Sequence, residues 1–172
     1  MKIKQQKQIK AFLIEEFRKD RGSVLFDEQE KVLNTIIKNT KNKSKNQMKT
    51  LISTILPRIA LYKVLSKSGF TEDVVYEHMR KYMLDKVAAK KHASTAKMEL
   101  IPGFYALYSN ITLKIKKCLW HTACVENGCA ELCRLFCDVD NVTYGSLKKI
   151  GFTRTKTLGY GGDCCDFHFF KK

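Results

Sequence analysis

The closing stretch of the chain, Lys148–Lys172 (KKIGFTRTKTLGYGGDCCDFHFFKK), limits its fold more than any other segment. Ile150–Leu158 is rich in Thr, Phe and Ile, and Cys164–Phe170 is rich in aromatics. Gly159, Gly161, Gly162 and Asp163 lie between them. β-Branched and aromatic residues favour extended backbone, and glycine supplies the reversal, so the pattern predicts an antiparallel hairpin. Period-two alternation then sorts the side chains by face. Cys164, Asp166 and His168 fall on one face of the second strand, and Cys165, Phe167 and Phe169 on the other. On the first strand Arg154 and Lys156 lie opposite Thr153, Thr155 and Thr157. Closure symmetric about Tyr160 sets Arg154 across from Asp166 and Phe152 across from His168. A guanidinium, a carboxylate and an imidazole on one face, with aromatics behind, form a site-like arrangement. Its plain counterpart is a surface ion pair beside a half-buried edge strand.

The rest of the chain reads as helices packed on that ribbon. Gln5–Arg18 carries Ile9, Phe12, Leu13 and Phe17 at helical spacing, and Gly22 is expected to end this element. Phe26–Thr40 is a second helix, capped by Asp27, with Val32, Leu33, Ile36 and Ile37 as its stripe. In Gln47–Ser68, Pro57 must kink the helix or begin a new one. Thr71 caps a helix running to about Lys97, on which His78 and His92 have no partner at ligand spacing and read as ordinary histidines. Pro102 and Gly103 mark a change of texture. Phe104–Leu119 mixes aromatic and aliphatic residues with polar ones, and Thr112–Cys118 alternates as a strand should. Thr122–Asp138 returns to helix. The expected class is α+β: N-terminal helices packed on a small antiparallel sheet with a C-terminal β-hairpin. We expect a single domain over 1–172, helical over 1–100 and α+β over 101–172.

The net charge of +15 is uneven, because 22 of the 32 Lys and Arg precede residue 101. The run Lys38–Lys49 has no aromatics for base stacking and no glycine-rich loop, which argues against nucleic acid as the partner. No apolar segment approaches the roughly 20 residues that span a bilayer, so no membrane is expected. Met1–Lys10 is basic, but the apolar run after it is cut by Glu15 and Glu16, unlike a secretory signal. The seven cysteines, an odd number, fit reduced thiols in a cytoplasmic protein better than a disulfide framework.

Five of those cysteines lie within Cys118–Cys137. Cys118-x-x-His121-x-x-Cys124 resembles metal-ligand spacing, and Cys129, Cys133 and Cys137 drift slowly around one helical face. Zinc or an iron–sulfur cluster is conceivable there, but no CxxC pair occurs, and Cys129 and Cys133 also suit an apolar helix face. No cofactor is required by the sequence, and no residue is assigned as a metal ligand. Glu131, Asp138 and Asp140 place carboxylates near the end of this helix, as acid–base work needs; a solvated face is the alternative. Cys164 and Cys165 point to opposite faces of a strand, which disfavours a disulfide between them. A cysteine nucleophile would need a nearby cation, from His168, Arg154 or Lys156.

Taken together, several of these pieces resemble the L-2-amino-thiazoline-4-carboxylic acid hydrolase family. They are Cys118–His121 (CLWH), Ala130-Glu131-Leu132, Phe136-Cys137-Asp138 with Asp140, Arg154-Thr155-Lys156-Thr157-Leu158, the glycine turn, and Cys165-Asp166-Phe167. The resemblance covers about Lys117–Phe170. His168 stands where an arginine is often expected, and Cys124, Cys133 and Cys164 are additional. The resemblance implies a small hydrolase acting on a C–N bond of a cyclic amidine- or amide-like substrate, giving N-carbamoyl-L-cysteine from the thiazoline. It points to Cys137, Asp140, Arg154, Thr157, Cys165 and Asp166. In that chemistry Arg154 and Thr157 bind the substrate, Arg154 through its carboxylate. Asp166, Glu131 or Asp140 activates water, His168 carries the proton, and Cys165 or Cys137 is the candidate nucleophile. The competing reading is a non-catalytic module that holds a small anion or a metal through its cysteines.

Overall fold

The computed structural model describes residues 4–145 and 147–172, with all of their side chains except those of 4 and 86–93. His92 and Val87 fall among those side chains, so the expectations for them lie outside the described residues. The chain forms two compact units, one running through Glu77 and adding Ala123–Cys129, the other built from His78–Thr122 and Ala130–Lys172. The change of texture at Pro102 is therefore not where the units divide.

In the first unit, α1 spans Lys4–Phe17 and α2 spans Lys19–Asn39. The break falls at Arg18, which takes a positive φ of 62°. Gly22 does not end the first helix as expected; it sits inside α2, at the crossing with α1. A Cβ there would lie 2.4 Å from the Leu13 carbonyl oxygen, so the absence of a side chain is what lets the two backbones touch. Ile9, Phe12 and Leu13 of α1 meet Leu25, Phe26, Leu33 and Ile36 of α2 in a core closed by Leu51, Ile55, Ile59 and Leu65. Gln29 is fully buried there and is satisfied, donating to the Pro57 carbonyl at 3.0 Å and accepting from Gln6 at 2.7 Å. Ser44 caps α3 (Lys45–Thr50) through a reciprocal capping box with Gln47. A π-helical turn, Leu51–Ile55, then leads to α4 (Leu56–Lys67), with Pro57 in its first turn where the missing N–H costs nothing.

The helical run after Thr71 comprises α5 (Glu72–Arg80), a π segment (Lys81–Ala88) and α6 (Ala89–Met98). In the second unit the strand expected over Thr112–Cys118 lies slightly earlier, and a helix precedes it. Pro102–Tyr108 is a helix, α7, opened by its proline and holding Phe104 on Tyr108 with ring centroids 4.4 Å apart. Strand β1 is Asn110–Ile115. The single helix expected over Thr122–Asp138 is two, α8 (Leu119–Glu126) and α9 (Cys133–Gly145), joined by a short turn at Ala130–Leu132. Gly128, at φ 64°, breaks the run. Strands β2 (Ile150–Thr153) and β3 (Cys165–Lys171) form the expected hairpin.

Among the described residues the sheet has the order β1-β3-β2, antiparallel throughout, which bears out the α+β class. Its inner face carries Ile111, Leu113, Phe152, Phe167 and the buried Phe169 against Tyr108 and Tyr144. Tyr108 and Tyr144 each meet the Phe169 ring edge-on at 5.2 Å, a favourable arrangement of ring quadrupoles. Glu99, buried at the end of the helical run, accepts the backbone N–H groups of Lys148, Lys149 and Ile150 at 3.1, 2.6 and 2.7 Å. This carboxylate fixes where β2 begins.

Candidate functional site

The hairpin register decides which polar groups meet. Phe152 pairs with Phe169 and Thr153 with His168. The symmetric closure expected from the sequence, with Arg154 across from Asp166 and Phe152 across from His168, is therefore off by one residue. A one-residue slip changes the face of every side chain. It separates Arg154 from Asp166 and His168 instead of gathering the three. The slip is possible because the connection is a capped turn: Thr157 caps a short 3₁₀ turn at Leu158–Tyr160, and Gly161 follows at φ 83°.

Asp166 and His168 lie on the outer face. Asp166 receives the backbone N–H groups of Thr155 and Lys156 at 3.0 and 2.8 Å, and the Thr155 hydroxyl. Those donors, the Thr155 hydroxyl first, hold the carboxylic acid down at about 2. It clamps the base of the turn. His168 pairs through Nδ1 with the Thr112 hydroxyl at 2.9 Å and stacks on Phe170. Lys156 bridges to Asp163 at the surface.

Arg154 turns inward. Its guanidinium lies 5.8 Å over the Phe167 ring, and Nη2 donates to the Cys137 carbonyl on α9 at 2.9 Å. Nη1 is buried and has no hydrogen-bond partner among the described residues. A buried charged donor without an acceptor is costly, and it marks a place where an acceptor is missing.

The groups around it come from three elements. From α9, Cys133 and Cys137 stand one turn apart with their thiols hydrogen-bonded. The Thr157 side chain is hydrogen-bonded to Cys137 as well. From β3, Cys165 accepts the Leu158 N–H at 3.4 Å and feels the charges of Arg154 and Asp140. Cys118, ahead of α8, receives the N–H groups of His121 and Trp120 and lies within electrostatic reach of Cys133 and Cys165. The Cys133 hydrogen bond and burial push the Cys137 thiol far up, against the opposing pull of Thr157 and Arg154. Burial raises Cys165 and Cys118 too, opposed by the N–H groups that face each sulfur. At neutral pH these three sulfurs are thiols, and a reaction that uses one must take its proton away.

Chemically, the inner face of the hairpin offers an unfilled guanidinium donor, buried thiols, a hydroxyl and the Asp140 carboxylate. That set can hold a small carboxylate and present sulfur or water to it. Glu131 sits exposed on the turn before α9. Among the described residues no group of three or more His, Cys, Asp and Glu could hold a metal ion, so the zinc and iron–sulfur alternative finds no built site.

A family model described as L-2-amino-thiazoline-4-carboxylic acid hydrolase matches residues 4–169. The chain belongs to that family. No curated protein and no solved structure matches it. The thiazoline hydrolase match takes in the N-terminal helices, which read from sequence as generic, as well as the C-terminal motifs. Of the six residues singled out by the motif, Cys137, Arg154, Thr157 and Cys165 are tied together by the contacts just described, and Asp140 acts on Cys165 through its charge. Asp166 is the exception. Sequence reasoning missed Cys133, assigned to plain core packing, although its i, i+4 spacing to Cys137 was visible. It also missed the Leu158 N–H and Gly159, where a Cβ would fall 2.9 Å from the Cys137 sulfur. A backbone donor and an absent side chain leave no signature in residue type.

Proposed function

We propose that this chain is a hydrolase that opens a small cyclic amidine carrying a carboxylate, with the 2-aminothiazoline carboxylate of the family name as its reference substrate. The observation that carries this reading is the buried Nη1 of Arg154, without a hydrogen-bond partner among the described residues, in the neighbourhood of Cys137, Cys165 and Thr157, with the Asp140 charge acting on Cys165. A substrate carboxylate accepted there satisfies a donor that is otherwise orphaned, through a charge-assisted hydrogen bond.

Atom balance sharpens the chemistry. Conversion of the thiazoline to N-carbamoyl-L-cysteine adds water at the carbon between nitrogen and sulfur. That carbon keeps both nitrogens, and the ring sulfur leaves as a thiol. The bond broken is therefore carbon–sulfur, while the carbon–nitrogen double bond becomes the single bond of a urea. In the route we favour, Cys165 attacks this carbon as its proton passes to Asp140, and the ring sulfur leaves and is protonated. Water then displaces Cys165 from the carbon, leaving the urea and restoring the thiol. Cys137, whose thiol is engaged by Cys133 and Thr157, lines the site in this scheme. Water activated directly by Asp140 is the non-covalent variant of the same reaction. Asp166, His168 and Glu131 take no step in either route. The cytoplasm suits this reading, because none of the seven cysteines is in a disulfide, as expected in a reducing compartment.

The test is turnover of 2-aminothiazoline-4-carboxylate, followed by mass spectrometry of the ring-opened thiol. Arg154→Met keeps an unbranched apolar stem and removes the guanidinium donor. It is expected to raise KM about 30-fold, the weight of one charged hydrogen bond of about 2 kcal/mol. Cys165→Ala abolishes turnover if the covalent route holds and spares it if water attacks directly. An Arg154→Met enzyme with wild-type KM for a carboxylate substrate would remove the assignment.

A further inference from the structure

Three thiols and the threonine of the site are buried. Cys133 is 1% exposed, Cys165 4%, Cys137 8% and Thr157 3%. The turn from Thr157 to Gly162 lies directly on them. At Gly159 an added Cβ would sit 2.9 Å from the Cys137 sulfur and 3.1 Å from the Cys133 carbonyl carbon and oxygen. These thiols are shielded from solvent while the turn stays down.

The turn is tied at both ends in different ways. Its base is clamped by Asp166 on Thr155 and Lys156 and by the Lys156–Asp163 bridge. Its tip is Tyr160, a large aromatic that is 55% exposed. The Tyr160 hydroxyl donates to both oxygens of Asp138 on α9, at 2.9 and 3.0 Å. The guanidinium of Arg134, one turn earlier, lies 5.8 Å from the centre of the ring. Between tip and base, Gly161 at φ 83° and Gly162 provide backbone that can swing. The 3₁₀ turn is held together internally, with the Tyr160 N–H on the Thr157 hydroxyl at 3.3 Å, so it moves as one piece. A buried site, a compact cover, a firm base and a solvent-exposed tip contact are the parts of a gate.

We infer that Tyr160, held by Asp138, is the residue that controls access to the thiol site: breaking its hydroxyl–carboxylate contact leaves only the Leu158 N–H and Thr157 contacts holding the turn on Cys165 and Cys137, and the Thr157–Gly162 turn opens more often. Tyr160 touches no reacting group in this scheme and acts through the turn. The inference uses the location of the proposed site but not its chemistry. Failure of the thiazoline to turn over would leave it standing.

The experiment is alkylation of the folded, full-length protein by iodoacetamide, followed residue by residue by peptide mass spectrometry. Tyr160→Phe deletes only the hydroxyl. It is expected to speed modification of Cys137 and Cys165 about fivefold, the weight of one polar contact that solvent competes for at the surface. Cys124 and Cys129, both fully buried in the other compact unit, serve as internal controls and keep their wild-type rates. Asp138→Ala gives the same acceleration, and the double variant adds nothing further, because both remove one contact. Unchanged rates at Cys137 and Cys165 in Tyr160→Phe overturn the inference. So does equal acceleration at Cys124 and Cys129, which would mean general loosening.

Discussion

Replacing Glu99 with glutamine exchanges one carboxylate oxygen for an NH₂ group and tests how the sheet is positioned. In the wild type one buried carboxylate accepts three backbone N–H groups, those of Lys148 and Lys149 and the buried one of Ile150. Two of these, at 2.6 and 2.7 Å, share Oε1, and the third, at 3.1 Å, uses Oε2. A glutamine can keep its oxygen on the first two, but it turns an NH₂ group toward the Lys148 N–H, donor against donor. Hydrogen bonds to a charged acceptor are worth about 1.5–3 kcal/mol each against about 1 kcal/mol for neutral ones. Losing the charge from two and the whole of the third therefore costs about 3 kcal/mol. For a protein of this size that corresponds to a fall in Tm of about 6–12 °C. Trp120 is the single tryptophan and belongs to the same compact unit as Glu99, so its fluorescence reports the relevant transition. Hydrogen exchange adds a local readout, because the amides of Lys148–Ile150 should lose protection before those in α1 and α2. A Glu99→Gln protein whose Tm stays within about 2 °C of wild type, with those three amides still protected, would refute the argument that this carboxylate sets the start of β2.

Gly22→Ala should destabilise the first unit by about 2 kcal/mol, although an exposed helical glycine would gain about 1 kcal/mol from the same change, so the sign of the chemical-denaturation shift decides. The alanine methyl has to displace the Leu13 backbone, which cannot rotate away as a side chain could. Asp166 has its carboxyl lowered to about 2 by the Thr155 hydroxyl and the two N–H groups it clamps. A depressed folded pKa gives stability that is present above the unfolded value and lost as pH falls toward the folded one. The Tm advantage of wild type over Asp166→Asn should therefore be full above pH 4 and fade between about pH 4 and pH 2. Tyr144 is pushed up to about 12, by burial first and then by Asp140 and Tyr108. Its phenol should stay neutral where the exposed tyrosines ionise near pH 10, and the stability it confers is lost between about pH 10 and pH 12. Ultraviolet titration of wild type against Tyr144→Phe checks this; removal of a phenol that titrates near 10 would contradict it.

The sequence alone determined the kinds of element and their faces. Glycines flanked by β-branched and aromatic residues can only reverse the chain, and strict alternation had to put Cys165, Phe167 and Phe169 on the side away from Asp166 and His168. Helical spacing likewise announced the buried stripes of α1 and α2, and Pro57 had to kink a helix or begin a new one. What the sequence could not fix was how one element lies against another. Gly22 reads as a stop, but two helix backbones touching across it make it an interior contact. The single helix expected across Gly128 became two, because a left-handed residue there re-aims the chain. Above all, whether Arg154 joins the outer carboxylate or the inner thiols depends on one residue of register. Alternation is blind to that offset, since either pairing preserves the pattern within each strand. The choice is made by contacts distant in sequence: Phe152 on Phe169, Glu99 on the start of β2, and the Cys137 carbonyl accepting from the guanidinium. Side-chain chemistry is written locally, whereas the gathering of Arg154, Cys137, Cys165 and Thr157 around one buried donor exists only once the strands and α9 have packed.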